Sequence, residues 1–224
     1  VNPITTKIEP VTLEARYFSY IFPSLIVLIV MITSILLSST IVMNEKKSAS
    51  FFRNAIAPIS AFWFNLGTFV TSFLIILLQL AVFIIAALAF TNIQFLSGVP
   101  TAALSLLFII SAFVLFGMLI GYWFKSEETT TLAAISFSCL LLFFSNMILP
   151  MESMPPAIQS IASYNPFVVA ESLLRQSLLF RSGIITFVNG IVILSAWIAL
   201  FAIITMALVK ASSRAGFYRQ KKRG

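Results

Sequence analysis

Glu45, Lys46, Lys47 and Arg53 stand close together in the chain, with Ser48, Phe51 and Phe52 interleaved. Such a mixture supports recognition: carboxylate, ammonium and guanidinium groups pair with a partner's charges or with lipid phosphates, while the rings supply an apolar side. Catalysis has little to work with. The chain has no His and one cysteine, Cys139, so neither a His-assisted nucleophile nor a His-ligated metal site can be built, and no internal disulfide is possible. No G-x-x-x-x-G-K-[ST] run is present, so ATP phosphates cannot be cradled in a P-loop of this chain. We assign no catalytic residue, no metal ligand and no cofactor to it. Two other groups stand out. Glu171 and Arg175 are spaced to pair along one helix, and Asn65, Thr68, Ser72 and Gln79, at offsets of 3, 7 and 14, share a helical stripe.

The elements that must position these groups follow from composition. Of 224 residues, 60% are apolar, 9% are charged and 23 are Phe, and the mean hydropathy is +1.05. A soluble domain could not cover its surface with so few charges. Residues 17–44, 54–124, 129–151 and 182–209 carry no charge. A helical span needs about 20 apolar residues, so three of these runs hold one span each and the longest holds two, broken by the polar, Gly- and Pro-containing residues 91–101. The fold class expected is all-α and polytopic, with five spans near 18–43, 61–90, 102–124, 130–149 and 183–209. An interfacial helix over 45–57, short re-entrant helices over 150–181 and a basic tail over 211–224 complete the layout. Residues 1–16 form a polar external tail, and a further span with an external segment is expected upstream of Val1.

Charge distribution sets the expected orientation. The segment after the first span, the loop after the third and the tail together hold ten of the 14 Lys and Arg residues, and the opposite side holds Lys7, Arg16, Arg175 and Arg181. The positive-inside rule puts the amino end outside and the tail in the cytoplasm of a multi-pass plasma-membrane protein. The net charge of +7 thus reflects topology, and no nucleic acid is implied.

In the first span the hydroxyls of Thr33, Ser34, Ser38, Ser39 and Thr40 either bond carbonyls one turn back or line a cavity. The stripe from Asn65 to Gln79 faces protein or an aqueous cleft. Gly117 and Gly121 form G-x-x-x-G, a seat for a closely approaching helix. Asn165 followed by Pro166 reads as a helix start among the prolines of 150–166. The segment 45–57 either receives pressure from a cytosolic partner or anchors to acidic lipid headgroups.

Glu45, Lys46, Lys47, Ser48, Arg53, Pro58 and Ser60, in the order acidic, basic, small, short helix, then Pro-Ile-Ser entering a span, resemble the permease subunits of ABC-2 type exporters. Ala49-Ser50 stands where that family usually has Gly-Thr. The Pro and Asn-Pro region before the last span also resembles that family. The resemblance implies that Glu45, Lys46, Lys47, Ser48, Phe51, Phe52 and Arg53 contact a cytosolic ATP-binding subunit, where ATP and Mg would act. It also implies a second permease copy or a paralogue that completes a cleft. Candidate path residues are Ser34, Ser38, Asn65, Thr68, Ser72 and Gln79, whose mild polarity suits a lipid-like or amphipathic substrate. The competing expectation is a membrane scaffold or assembly factor that recruits partners without transport.

Overall fold

The computed structural model describes residues 13–47, 61–90, 99–145, 155–179 and 184–221. Among them the chain forms seven helices and no strand: α1 (Leu13–Lys47), α2 (Ala61–Phe90), α3 (Val99–Trp123), α4 (Glu127–Phe143), α5 (Pro156–Ser163), α6 (Pro166–Leu179) and α7 (Ile184–Lys221). Four segments are long and apolar enough to cross a membrane: Ile21–Lys47, Phe62–Ile85, Pro100–Trp123 and Phe187–Lys210. The expected span at 130–149 falls on α4, which has 17 residues. At a rise of about 1.5 Å per residue it covers roughly 25 Å, just short of a hydrocarbon layer of about 30 Å. Residues 146–154 lie outside the described part.

The core sits where α1, α3 and α6 meet. Val27, Met31 and Ile35 pack with Ile109, Ile110, Phe113 and Met118, and with Phe167, Leu173 and Leu174. Between membrane helices, apolar area gives little net drive, because lipid is equally apolar; contact distance must do it instead. Glycine on α3 provides that distance. A Cβ on Gly117 would lie 2.0 Å from Ser38 Oγ and 2.6 Å from the Ile35 carbonyl oxygen, and one on Gly121 would lie 2.8 Å from the Ser39 carbonyl oxygen. The backbone of α1 therefore rests directly on α3.

Side chains close the starts of α4 and α6. At the start of α4, Ser126 Oγ accepts from Thr129 N at 3.2 Å, with Glu127 and Glu128 in the first turn, where acidic groups suit the helix dipole. Asn165 serves two helices. Its Oδ1 accepts from Phe167 N at 2.9 Å at the start of α6, and its Nδ2 donates to the Leu141 carbonyl at 2.8 Å at the end of α4. In contrast to this tightly joined core, α2 is peripheral: Leu74 and Leu78 are 57% and 67% exposed.

Candidate functional site

The sequence pattern puts a break at Asn44 and a separate helix over 45–57. The structure differs: α1 continues through Glu45, Lys46 and Lys47. The reason is that each of these three side chains finds a partner on a different helix or loop. Glu45 Oε2 accepts from Thr68 Oγ1 of α2 at 2.7 Å. Lys46 Nζ donates to the carbonyl oxygens of Gly121 at 3.0 Å, Tyr122 at 3.3 Å and Phe124 at 2.6 Å. Lys47 Nζ lies 2.9 Å from Glu127 Oε2 at the start of α4. Carbonyls at a helix end lack intrahelical donors and carry the negative end of the dipole, so an ammonium is the natural cap there. Ser48, Phe51, Phe52 and Arg53 lie outside the described residues.

These contacts change how the charges at the end of α1 are read. Glu45, Lys46 and Lys47 are directed at the chain itself, and they tie one helix end to α2, α3 and α4. Lys47 is the most exposed of the three, with about half its side chain open to solvent, while Glu45 and Lys46 are partly buried. Its hydrogen bond, and then its charge, hold the Glu127 carboxyl below the ordinary carboxylate range. A carboxylate with a lowered folded pKa adds stability above its unfolded pKa and loses it as pH falls through the folded value. Because this pair is exposed, the increment is small and screened by salt. We therefore expect Glu127→Gln to leave thermal unfolding unchanged at high salt and to lower it slightly at low salt near neutral pH. A melting curve at two ionic strengths checks this.

A second polar cluster joins α1 to α6 at the other end of the bundle. Glu171 is 4% exposed and pairs with Arg175 Nη2. Ser24 Oγ donates to Glu171 Oε1 at 2.6 Å and accepts from Arg175 Nη2 at 2.9 Å. Sequence spacing pointed to the pair but not to Ser24, which carries no local signal of its role. Another link across sequence is Ser105 Oγ to Ser177 Oγ at 2.8 Å, between α3 and α6.

The candidate path residues do not share one environment. Ser34 and Ser38 are fully buried, Ser38 against Gly117, so they face a packing seam and no open groove. Thr33, Ser38, Ser39 and Thr40 bond carbonyls of their own helix at 2.7, 2.6, 3.0 and 2.8 Å. Asn65, Thr68 and Ser72 are buried, and Asn65 Nδ2 reaches Met206 Sδ of α7 at 3.4 Å. Gln79 is exposed. It borders a groove of about 310 Å³ between α1 and α2, lined also by Ile29, Thr33 and Phe83. A second groove of about 270 Å³ runs between α2, α3 and α7, past Asn65, Phe69, Met118 and Thr205. Both are walled mainly by apolar side chains, which suits lipid tails or an amphiphile better than an ion.

Among the described residues no cluster of His, Cys, Asp or Glu could hold a metal ion. The geometry is that of packed membrane helices with charged groups gathered at helix ends. The family description "ABC-2 family transporter protein" matches residues 1–207. No curated relative matches the chain. Four apolar helices of crossing length and a family match over nearly the whole sequence agree: this chain belongs to the ABC-2 family of membrane transporter proteins.

Proposed function

We propose that the chain is the permease subunit of an ATP-driven exporter, forms half of a dimeric path with a second copy or a paralogue, and takes its motion from a separate cytosolic ATP-binding subunit that holds ATP and Mg. The observation that supports this reading most directly is the junction at the end of α1. Because Glu45, Lys46 and Lys47 tie α1 to α2, α3 and α4, any force on the residues that follow has purchase on four helices at once. Residues 45–57 are then the coupling segment, with Phe51, Phe52 and Arg53 as its partner-facing groups. In this reading the stretch 130–149, of which α4 is the described part, is the fifth span, the amino end lies outside, and the tail lies in the cytoplasm.

Arg53→Ala is expected to reduce co-purification of the ATP-binding subunit by about tenfold or more, equivalent to at least ~1.4 kcal/mol. Unchanged association together with unchanged export would sink the coupling role. Orientation is checked in a Cys139→Ser background with single cysteines at Ser97 and Lys222. An impermeant reagent applied outside is expected to label the first and spare the second, and equal labelling would refute the topology.

A further inference from the structure

We propose that Lys46 is a positioning residue: it locks the end of α1 to the end of α3 so that the two helices move as one body, and it is not part of the surface that the ATP-binding subunit touches. The second half rests on the permease reading above; the first stands on geometry alone.

An ammonium has three donor hydrogens. Lys46 Nζ has three carbonyl acceptors, on Gly121, Tyr122 and Phe124, so its donor capacity is matched inside the chain. Nothing is left over for an incoming carboxylate. The acceptors are the last carbonyls of α3 and the first residue beyond it, and Phe124 N still bonds back to the Ile120 carbonyl at 3.2 Å. Lys46 therefore grips the turn that leads into α4 as well as the helix itself.

The clamp completes a contact that begins a turn earlier. At Gly117 and Gly121 the α1 backbone approaches so closely that no Cβ fits. Close packing resists sliding along the seam, and the ammonium stops the free ends from splaying. On the other side of the junction α2 is held quite differently. Thr68 donates a hydroxyl bond to Glu45, Asn65 reaches a thioether, much of the outward face is exposed, and a groove runs along each flank. Residues 48–60 thus connect a clamped pair to a loosely held helix. A displacement there changes the angle between α2 and the α1–α3 pair, and Lys46 is what keeps that pair from absorbing the displacement by bending open.

The test uses the full chain in lipid nanodiscs, with Cys139 replaced by Ser and spin labels at the exposed positions Asn44 and Trp123. Wild type and Lys46→Arg are expected to give one narrow distance. Lys46→Met, or Lys46→Gln should that variant fold poorly, is expected to give a broad distribution. In parallel, co-purification of the ATP-binding subunit with Lys46→Met is expected to stay within about twofold of wild type, under ~0.5 kcal/mol. A distance distribution unchanged by Lys46→Met overturns the clamp. A loss of about tenfold or more in co-purification overturns the claim that Lys46 lies off the partner surface. If the wild-type chain captures no ATP-binding subunit, the permease reading fails, and the distance measurement still decides the clamp.

Discussion

Arg175→Met lowers the stability of the chain by about 3–5 kcal/mol, and adding Glu171→Met restores most of that loss. The arithmetic comes from where the pair sits. Glu171 is 4% exposed, packed between α1 and α6, and its carboxylate meets Arg175 and the Ser24 hydroxyl. Removing the guanidinium leaves a buried carboxylate facing one neutral hydroxyl. Removing both charges leaves thioethers of similar bulk in an apolar seam, which often costs nothing. Ser24→Ala removes a hydrogen bond to a charged group and should cost about 1.5–3 kcal/mol. Thermal unfolding of the single and double variants in one detergent, arranged as a double-mutant cycle, measures the coupling. A double variant no more stable than Arg175→Met would show that the pair is not the source of the loss.

Gly117→Leu abolishes a monodisperse fold. A Cβ there meets Ser38 Oγ at 2.0 Å, which a rotamer change relieves, but also the Ile35 carbonyl oxygen at 2.6 Å and Ile35 Cα at 2.8 Å, which none can. The two helices must separate, and the contacts of Ile35, Met31 and Phe113 go with them. The loss exceeds the about 1–3 kcal/mol of ordinary overpacking, since backbone rather than side chain has to move. Ser38→Gly is a poor rescue for the same reason. Gly67 on α2 is the matched control: a Cβ there meets nothing within 4 Å. Gly67→Ala should be neutral or stabilising by up to about 1 kcal/mol, the helix-propensity difference. Size-exclusion profiles and melting temperatures of Gly117→Ala and Gly67→Ala decide it, and identical behaviour would remove the special role of the α1–α3 seam.

Signals that are local in the chain were readable in advance. The helices follow from uncharged runs bounded by charge, and Asn165-Pro166 from cap chemistry; for the hydroxyls of α1 the sequence left carbonyl bonding and cavity lining both open, and Thr33, Ser38, Ser39 and Thr40 take the first. Gly117 and Gly121 announce a close neighbour, but nothing in their spacing says that it is α1. The stripe on α2 shows that angle around a helix does not by itself fix burial. Asn65, Thr68 and Ser72 stay on the buried face, whereas Gln79 lies two heptads beyond Asn65. At about 100° per residue Gln79 sits roughly 40° from Asn65, between Thr68 and Ser72, so it keeps the angle of the stripe; it is exposed because at its level a groove separates α1 from α2. The junction at Glu45, Lys46 and Lys47 was not legible at all. Its partners lie 23, 75 to 78 and 80 residues away, and several are backbone carbonyls, which carry no side-chain identity to recognise. That is why nothing in the sequence signals that Glu45, Lys46 and Lys47 also bond within the chain.

The distance between Lys46 and its acceptors also has a consequence for biosynthesis. With 75 to 78 residues separating them, and elongation at about 5–20 residues per second, the ribosome needs roughly 4–16 s after making the lysine before its carbonyls exist. Ser24 waits longer still, since Glu171 follows 147 residues later. α1 is therefore made well before the partners that secure its ends, and in the interval water or the insertion machinery must keep its polar groups satisfied.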